Sequence, residues 1–85
     1  METRVALMSI IVSDMEKTPQ VNEYLHEAAP YIIGRMGIPY RKCGISIISI
    51  ALDAPQDLIS ALSGKIGRLE GVTSKVVYSG VITEE

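Results

Sequence analysis

The chain has 85 residues, 47% of them hydrophobic and 21% charged, with a formal net charge of −2. This length fits one domain, 1–85, and the regular apolar patterning excludes a disordered chain. The slightly acidic balance, with eight basic residues scattered along the sequence, leaves no electrostatic footprint for nucleic acid, and no apolar run is long enough to span a membrane.

Arg4 to Ser13 reads as a strand that is apolar on both faces, with Ala6, Met8, Ile10 and Val12 on one and Val5, Leu7 and Ile11 on the other. Such a strand belongs in the middle of a sheet. After a polar loop, Asp14 to Lys17, Thr18-Pro19 reads as a helix start, with the hydroxyl as N-cap and proline at the first helical position. Val21, Tyr24, Leu25 and Ala28 follow at helical spacing, and Pro30 ends the helix. Ile32, Ile33 and Met36 continue the helical period, so one longer helix through Gly37 is the alternative. Pro30, Gly34 and Gly37 oppose it, and Tyr31 to Tyr40 is read as a second strand.

Arg41 to Gly44 is a turn, and Ile45 to Leu52 is another two-sided apolar strand. Asp53-Ala54-Pro55-Gln56 has the spacing of a capping box. The helix after it carries Leu58, Leu62, Ile66 and Leu69 on one stripe and runs to Gly71, a residue suited to the left-handed C′ position. Thr73 to Ile82 is the last strand, followed by a frayed tail, Glu84-Glu85. The order βαββαβ with right-handed crossovers predicts an α+β, ferredoxin-like sandwich. Its four-stranded antiparallel sheet has order 4-1-3-2, with both helices on one face.

That topology leaves the other sheet face open. The bulkier alternating set, Met8, Ile10, Ile48, Ile50 and Leu52, is assigned to the helix-covered core, and Leu7, Ile11, Ile45 and Ile47 to the open face, with the reverse phase as the alternative. Either phase leaves large aliphatic residues uncovered in a monomer, and contiguous apolar surface marks an interface. A chain this short is also marginal alone, burying only about 60% of its unfolded surface. A homo-oligomer, dimer or tetramer, through the sheet face is therefore expected. Ala61, Gly64 and Gly67 form a small-residue ridge on the second helix. Two glycines inside a helix cost about 1 kcal/mol each relative to alanine, so the ridge is expected to pack closely on the sheet, the other helix or another subunit.

Chemistry-bearing residues are few. His26 is the only histidine and Cys43 the only cysteine. A lone cysteine cannot close an internal disulfide, which together with an N-terminus unlike a signal peptide predicts a cytoplasmic protein. Cys43 lies beside Arg41 and Lys42, a setting that favours thiolate, but no acid–base constellation surrounds it and no metal-ligand spacing is present. Gly64-Lys65 lacks the flanking residues of a phosphate loop. The two central strands carry no aromatic side chain on which a base would stack. No catalytic residue, metal or cofactor is expected.

Three segments carry a family resemblance: Val21-Asn22-Glu23-Tyr24-Leu25-His26, Gly37-Ile38-Pro39-Tyr40-Arg41, and the glycine-spaced Ala61-Leu62-Ser63-Gly64-Lys65-Ile66-Gly67-Arg68-Leu69-Glu70-Gly71-Val72. From about Val5 to Ser79 the chain resembles a small bacterial family described as regulators of the iron-only hydrogenase system. The resemblance implies a ferredoxin-like domain similar to ACT domains and to the C-terminal domain of nickel-responsive repressors, relatives that sense a small ligand or metal and assemble through their sheets. Tyr31 to Tyr40 contains no histidine, and the sequence has no basic ribbon or helix-turn-helix for DNA. The expected function is a non-enzymatic, oligomeric transcriptional or metabolic regulator that binds a small effector or a protein partner. The alternative is a metal- or cofactor-handling accessory using Cys43 and His26 at a subunit interface.

Overall fold

In the computed structural model, which describes residues 2–84, strands β1 (Glu2–Val12), β2 (Ile32–Tyr40), β3 (Ile45–Ala54) and β4 (Val72–Glu84) form one antiparallel sheet in the order β2-β3-β1-β4. Helix α1 (Thr18–Glu27) connects β1 to β2, and α2 (Gln56–Gly67) connects β3 to β4. This is the expected ferredoxin-like βαββαβ arrangement, with the two most apolar strands at the centre.

The core lies between the helices and one sheet face. Met8, Ile10 and Val12 of β1 and Ile50 and Leu52 of β3 are fully buried against Val21 and Leu25 of α1 and Ile59 and Ile66 of α2. The even-numbered residues of both central strands therefore face the helices, which settles the phase of the alternation. The register agrees: Met8 lies opposite Ile50 and Ile10 opposite Ile48, and directly paired residues share a face.

Several element ends depart from the sequence reading. Thr18 is not an N-cap. Asp14 caps a preceding 3₁₀ turn, Met15–Lys17, by accepting the amide of Glu16 at 3.0 Å, so the chain is already helical at Lys17 and Thr18 lies inside α1. Asp53 is not a cap either, because β3 continues to Ala54 and the Thr83 hydroxyl on β4 donates to the Asp53 carboxylate. Helix α2 stops at Gly67, four residues before Gly71. Glu84 lies within β4 rather than in a frayed tail, and Glu85 is outside the described residues. The longer first helix does not form: a 3₁₀ turn at Ala29–Tyr31, containing Pro30, ends it before β2.

Candidate functional site: the open face of the sheet

The face of the sheet away from the helices is a candidate functional surface. Leu7, Ile11 and Ile47 are 45%, 41% and 38% exposed, and Ile45 is half-buried beside them. Ile11 pairs directly with Ile47 across β1 and β3. The four residues expected on the open face thus share it.

The edge strands extend this surface in a way the sequence reading missed. Register places Met36, Ile38 and Tyr40 of β2 opposite Ser49, Ile47 and Ile45, and Val77 of β4 opposite Leu7. All four are exposed. The intervening residues of β2 point toward the helices and are Arg35, Gly37 and Pro39. Arg35 there donates to the Asn22 side-chain oxygen of α1 at 2.6 Å. From Arg35 to Tyr40 the large apolar residues of β2 therefore lie on the face without helices and the others on the face with them, the reverse of the pattern that a half-buried edge strand of a monomer carries, while Ile32 before them packs against the core. The alternation of Met36, Ile38 and Tyr40 was the available signal.

The resulting patch spans all four strands. Three inter-strand gaps of about 4.8 Å and four residues of about 3.4 Å enclose a field of roughly 200 Å². Contiguous apolar surface rimmed by polar residues marks an interaction site. Ser9, Ser49, Thr73 and Lys75 are its polar members, by pairing with β1 and β2.

The small-residue ridge of α2 is exposed rather than packed against the chain's own sheet or α1. A Cβ at Gly64 would meet only the tip of Arg68 at 3.9 Å, and one at Gly67 would meet Ser74 at an ordinary 3.7 Å. Ala61 borders a shallow cleft between α1 and α2. Over that cleft the Lys65 ammonium stands 4.8 Å from the Tyr24 ring centre and 3.6 Å from the Glu27 carboxylate. His26 is exposed on α1 and Cys43 is exposed in the turn between β2 and β3. Among the described residues no three His, Cys, Asp or Glu side chains gather as a metal site. No helix among them is long and apolar enough to cross a membrane.

The chain has relatives of known structure. It superposes on the uncharacterized protein TM1266 of Thermotoga maritima with a TM-score of 0.85 and 38% identity, over 89% of this chain and 96% of that one. A formyltetrahydrofolate deformylase from Pseudomonas putida KT2440 shares the fold at a TM-score of 0.63 and 18% identity. That match takes in 86% of this chain and 28% of the enzyme. No curated protein matches the sequence. Residues 4–76 match the profile of the TM1266-like family, described as "Iron-only hydrogenase system regulator, putative". With that match spanning most of the sheet and both helices, the chain belongs to the TM1266-like family.

Proposed function

We propose that this protein is a non-enzymatic regulatory domain of the iron-only hydrogenase system that works as a homo-oligomer, with the open sheet faces of two copies packed together. The observation that carries the assembly is the apolar field running from Met36 and Ile38 through Ile47, Ile11 and Leu7 to Val77. An apolar surface of this extent is stabilised by burial at about 25 cal/mol per Å², and a two-fold axis closes it with a second copy of itself. The regulatory role, and with it the non-enzymatic reading, rests on the family description. In this reading the oligomer is the scaffold, and its regulatory output comes from an effector or protein partner bound elsewhere on the surface.

Light scattering coupled to size exclusion tests the assembly. The parent chain is expected to elute at a multiple of its monomer mass at micromolar concentration. Ile47→Lys, which sets a charge at the centre of the face, is expected to reduce that mass while retaining the far-ultraviolet circular dichroism of the parent. A parent that is monomeric, or a mass unchanged by Ile47→Lys, overturns the sheet-face assembly.

A further inference from the structure

A second surface lies on the opposite side of the molecule, where α2 runs beside the free edge of β4. The groove between them is walled by Ser60, Ser63, Gly64 and Gly67 of α2 and by Ser74, Val76 and Tyr78 of β4, with Arg68 flanking the strand edge on the helix side and Lys75 on the open-face side. Ser63 and Ser74 share a hydroxyl hydrogen bond of 2.9 Å that ties the helix to the strand at its floor. No carboxylate lines the groove, and among the described residues neither Arg68 nor Lys75 enters an ion pair. The groove is thus a basic, hydroxyl-rich slot in a chain of net negative charge.

We infer that this groove binds an extended acidic segment of a partner protein, added as a fifth strand along the edge of β4. Three features support strand addition. First, β4 is an edge strand whose outward N–H and C=O groups have no ladder partner, and its register with β1 runs unbroken from Val72 to Tyr78 before the irregularity near Ser79. Seven residues at about 3.3 Å each give a pairing length of roughly 23 Å. The opposite edge, β2, is blunted by Pro39 and by its own irregularity at Ile32–Gly34, as edges that avoid pairing are. Second, the helix wall beside the slot is bare. Gly64 and Gly67 present backbone where other residues would project side chains, leaving room for the alternate side chains of an added strand. Helix-flanked edge strands take peptides in this way, with backbone bonds supplying affinity and side-chain contacts supplying specificity.

The third feature is charge. Arg68 and Lys75 select acidic side chains on the incoming strand, and they disfavour a second copy of this chain, whose own Arg68 and Lys75 would meet them across a two-fold axis. A compact anion is a poorer occupant. It leaves the β4 edge unpaired. The inference rests on the regulatory reading above and names its partner class. The groove and the sheet face meet only at Lys75, which register sets on the open face opposite Ser9, so sheet-face assembly and peptide binding are measured separately in each variant.

The test is selection of phage-displayed random dodecapeptides on the parent protein, followed by fluorescence anisotropy with the selected sequences as synthetic peptides. Enrichment of Asp and Glu and depletion of Pro is expected. The peptides are expected to lose about tenfold or more in affinity toward Arg68→Glu combined with Lys75→Glu. Gly64→Leu, which fills the slot at an exposed position, is expected to weaken binding similarly with a melting temperature no lower than that of the parent. Lys42→Glu, at an exposed position in the turn between β2 and β3, serves as the charge control and is expected to bind like the parent. Placing proline at successive positions of a selected peptide is expected to abolish binding at alternate positions only, as strand pairing requires. The inference is overturned by a selection with no acidic enrichment, by peptides that bind the Arg68/Lys75 double variant as tightly as the parent, by uniform tolerance of proline, or by displacement with inorganic phosphate at low millimolar concentration. Loss of sheet-face assembly in the Ile47→Lys variant leaves peptide binding intact if the groove acts independently.

Discussion

Gly71 and Asp14 meet where the end of β1 passes the turn between α2 and β4. The Gly71 carbonyl accepts the amides of Ser13 and Asp14 at 2.7 and 3.2 Å, and the Gly71 backbone has φ +79°. A Cβ there would sit 2.7 Å from the Asp14 Cβ and 3.2 Å from its amide nitrogen. Glycine is required by the backbone and by the neighbour at once.

Gly71→Ala is therefore expected to destabilise the protein by roughly 1–3 kcal/mol, combining the left-handed penalty for a residue with a Cβ and displacement of the Asp14 segment. Gly80, which has open space around its Cβ position and no positive φ, is the control, and Gly80→Ala is expected within about 0.5 kcal/mol of the parent. Urea midpoints compare the two. Equal effects would refute the account of Gly71.

The phase of the central strands is checked by a core truncation. Ile50 is fully buried and Ile47 is 38% exposed, although they lie three residues apart on one strand. Ile50→Ala is expected to cost about 2–5 kcal/mol. Ile47→Ala, measured at concentrations where the assembly dissociates, is expected to cost under about 1 kcal/mol. A reversed ranking would place the helices on the other face.

Asp53 and Thr83 form a cross-sheet pair rather than a helix cap. The Thr83 hydroxyl lies 2.7 and 2.8 Å from the two Asp53 oxygens and also contacts the Thr3 hydroxyl. A double-mutant cycle of Asp53→Ala and Thr83→Val is expected to give a coupling energy of roughly 0.5–2 kcal/mol. Additive effects, as a capping role for Asp53 would produce, would contradict the pairing.

Gly64→Ala is expected to raise the melting temperature. The position is exposed, lacks a positive φ, and offers an added methyl only an ordinary contact with Arg68. The helix then gains about 0.5–1 kcal/mol of propensity. A fall in melting temperature that persists on dilution would reveal close packing at Gly64 within the folded chain.

Cys43 stands exposed in a turn closed by backbone bonds from Cys43 to Tyr40 and from Gly44 to Arg41. Both bonds survive in Cys43→Ser, which is expected to change stability by less than about 0.5 kcal/mol. Elemental analysis of parent and variant beside the unfolding curves gives the check. A metal retained by the parent and lost by Cys43→Ser would favour the accessory reading that joins Cys43 to His26 across subunits.

The sequence by itself determined the topology and the central strands and narrowed the core to one of two alternating sets. Two runs that are apolar on both faces have only the middle of a sheet to occupy, and a βαβ crossover has one hand. The bulkier alternating set, Met8, Ile10, Ile48, Ile50 and Leu52, accordingly lies beneath the helices. Asp14 is taken by a local turn, accepting the amide of Glu16, whereas tertiary structure decided the partner of Asp53, which is a hydroxyl on β4 far away in sequence. Tertiary structure also decided which residues of the edge strands join the open face, since Met36, Ile38, Tyr40 and Val77 take their side from a register that exists only once the strands are paired. The groove beside β4 belongs wholly to that level. Arg68 and Lys75 are unremarkable in the sequence and acquire a shared role only where α2 comes to lie along a free strand edge.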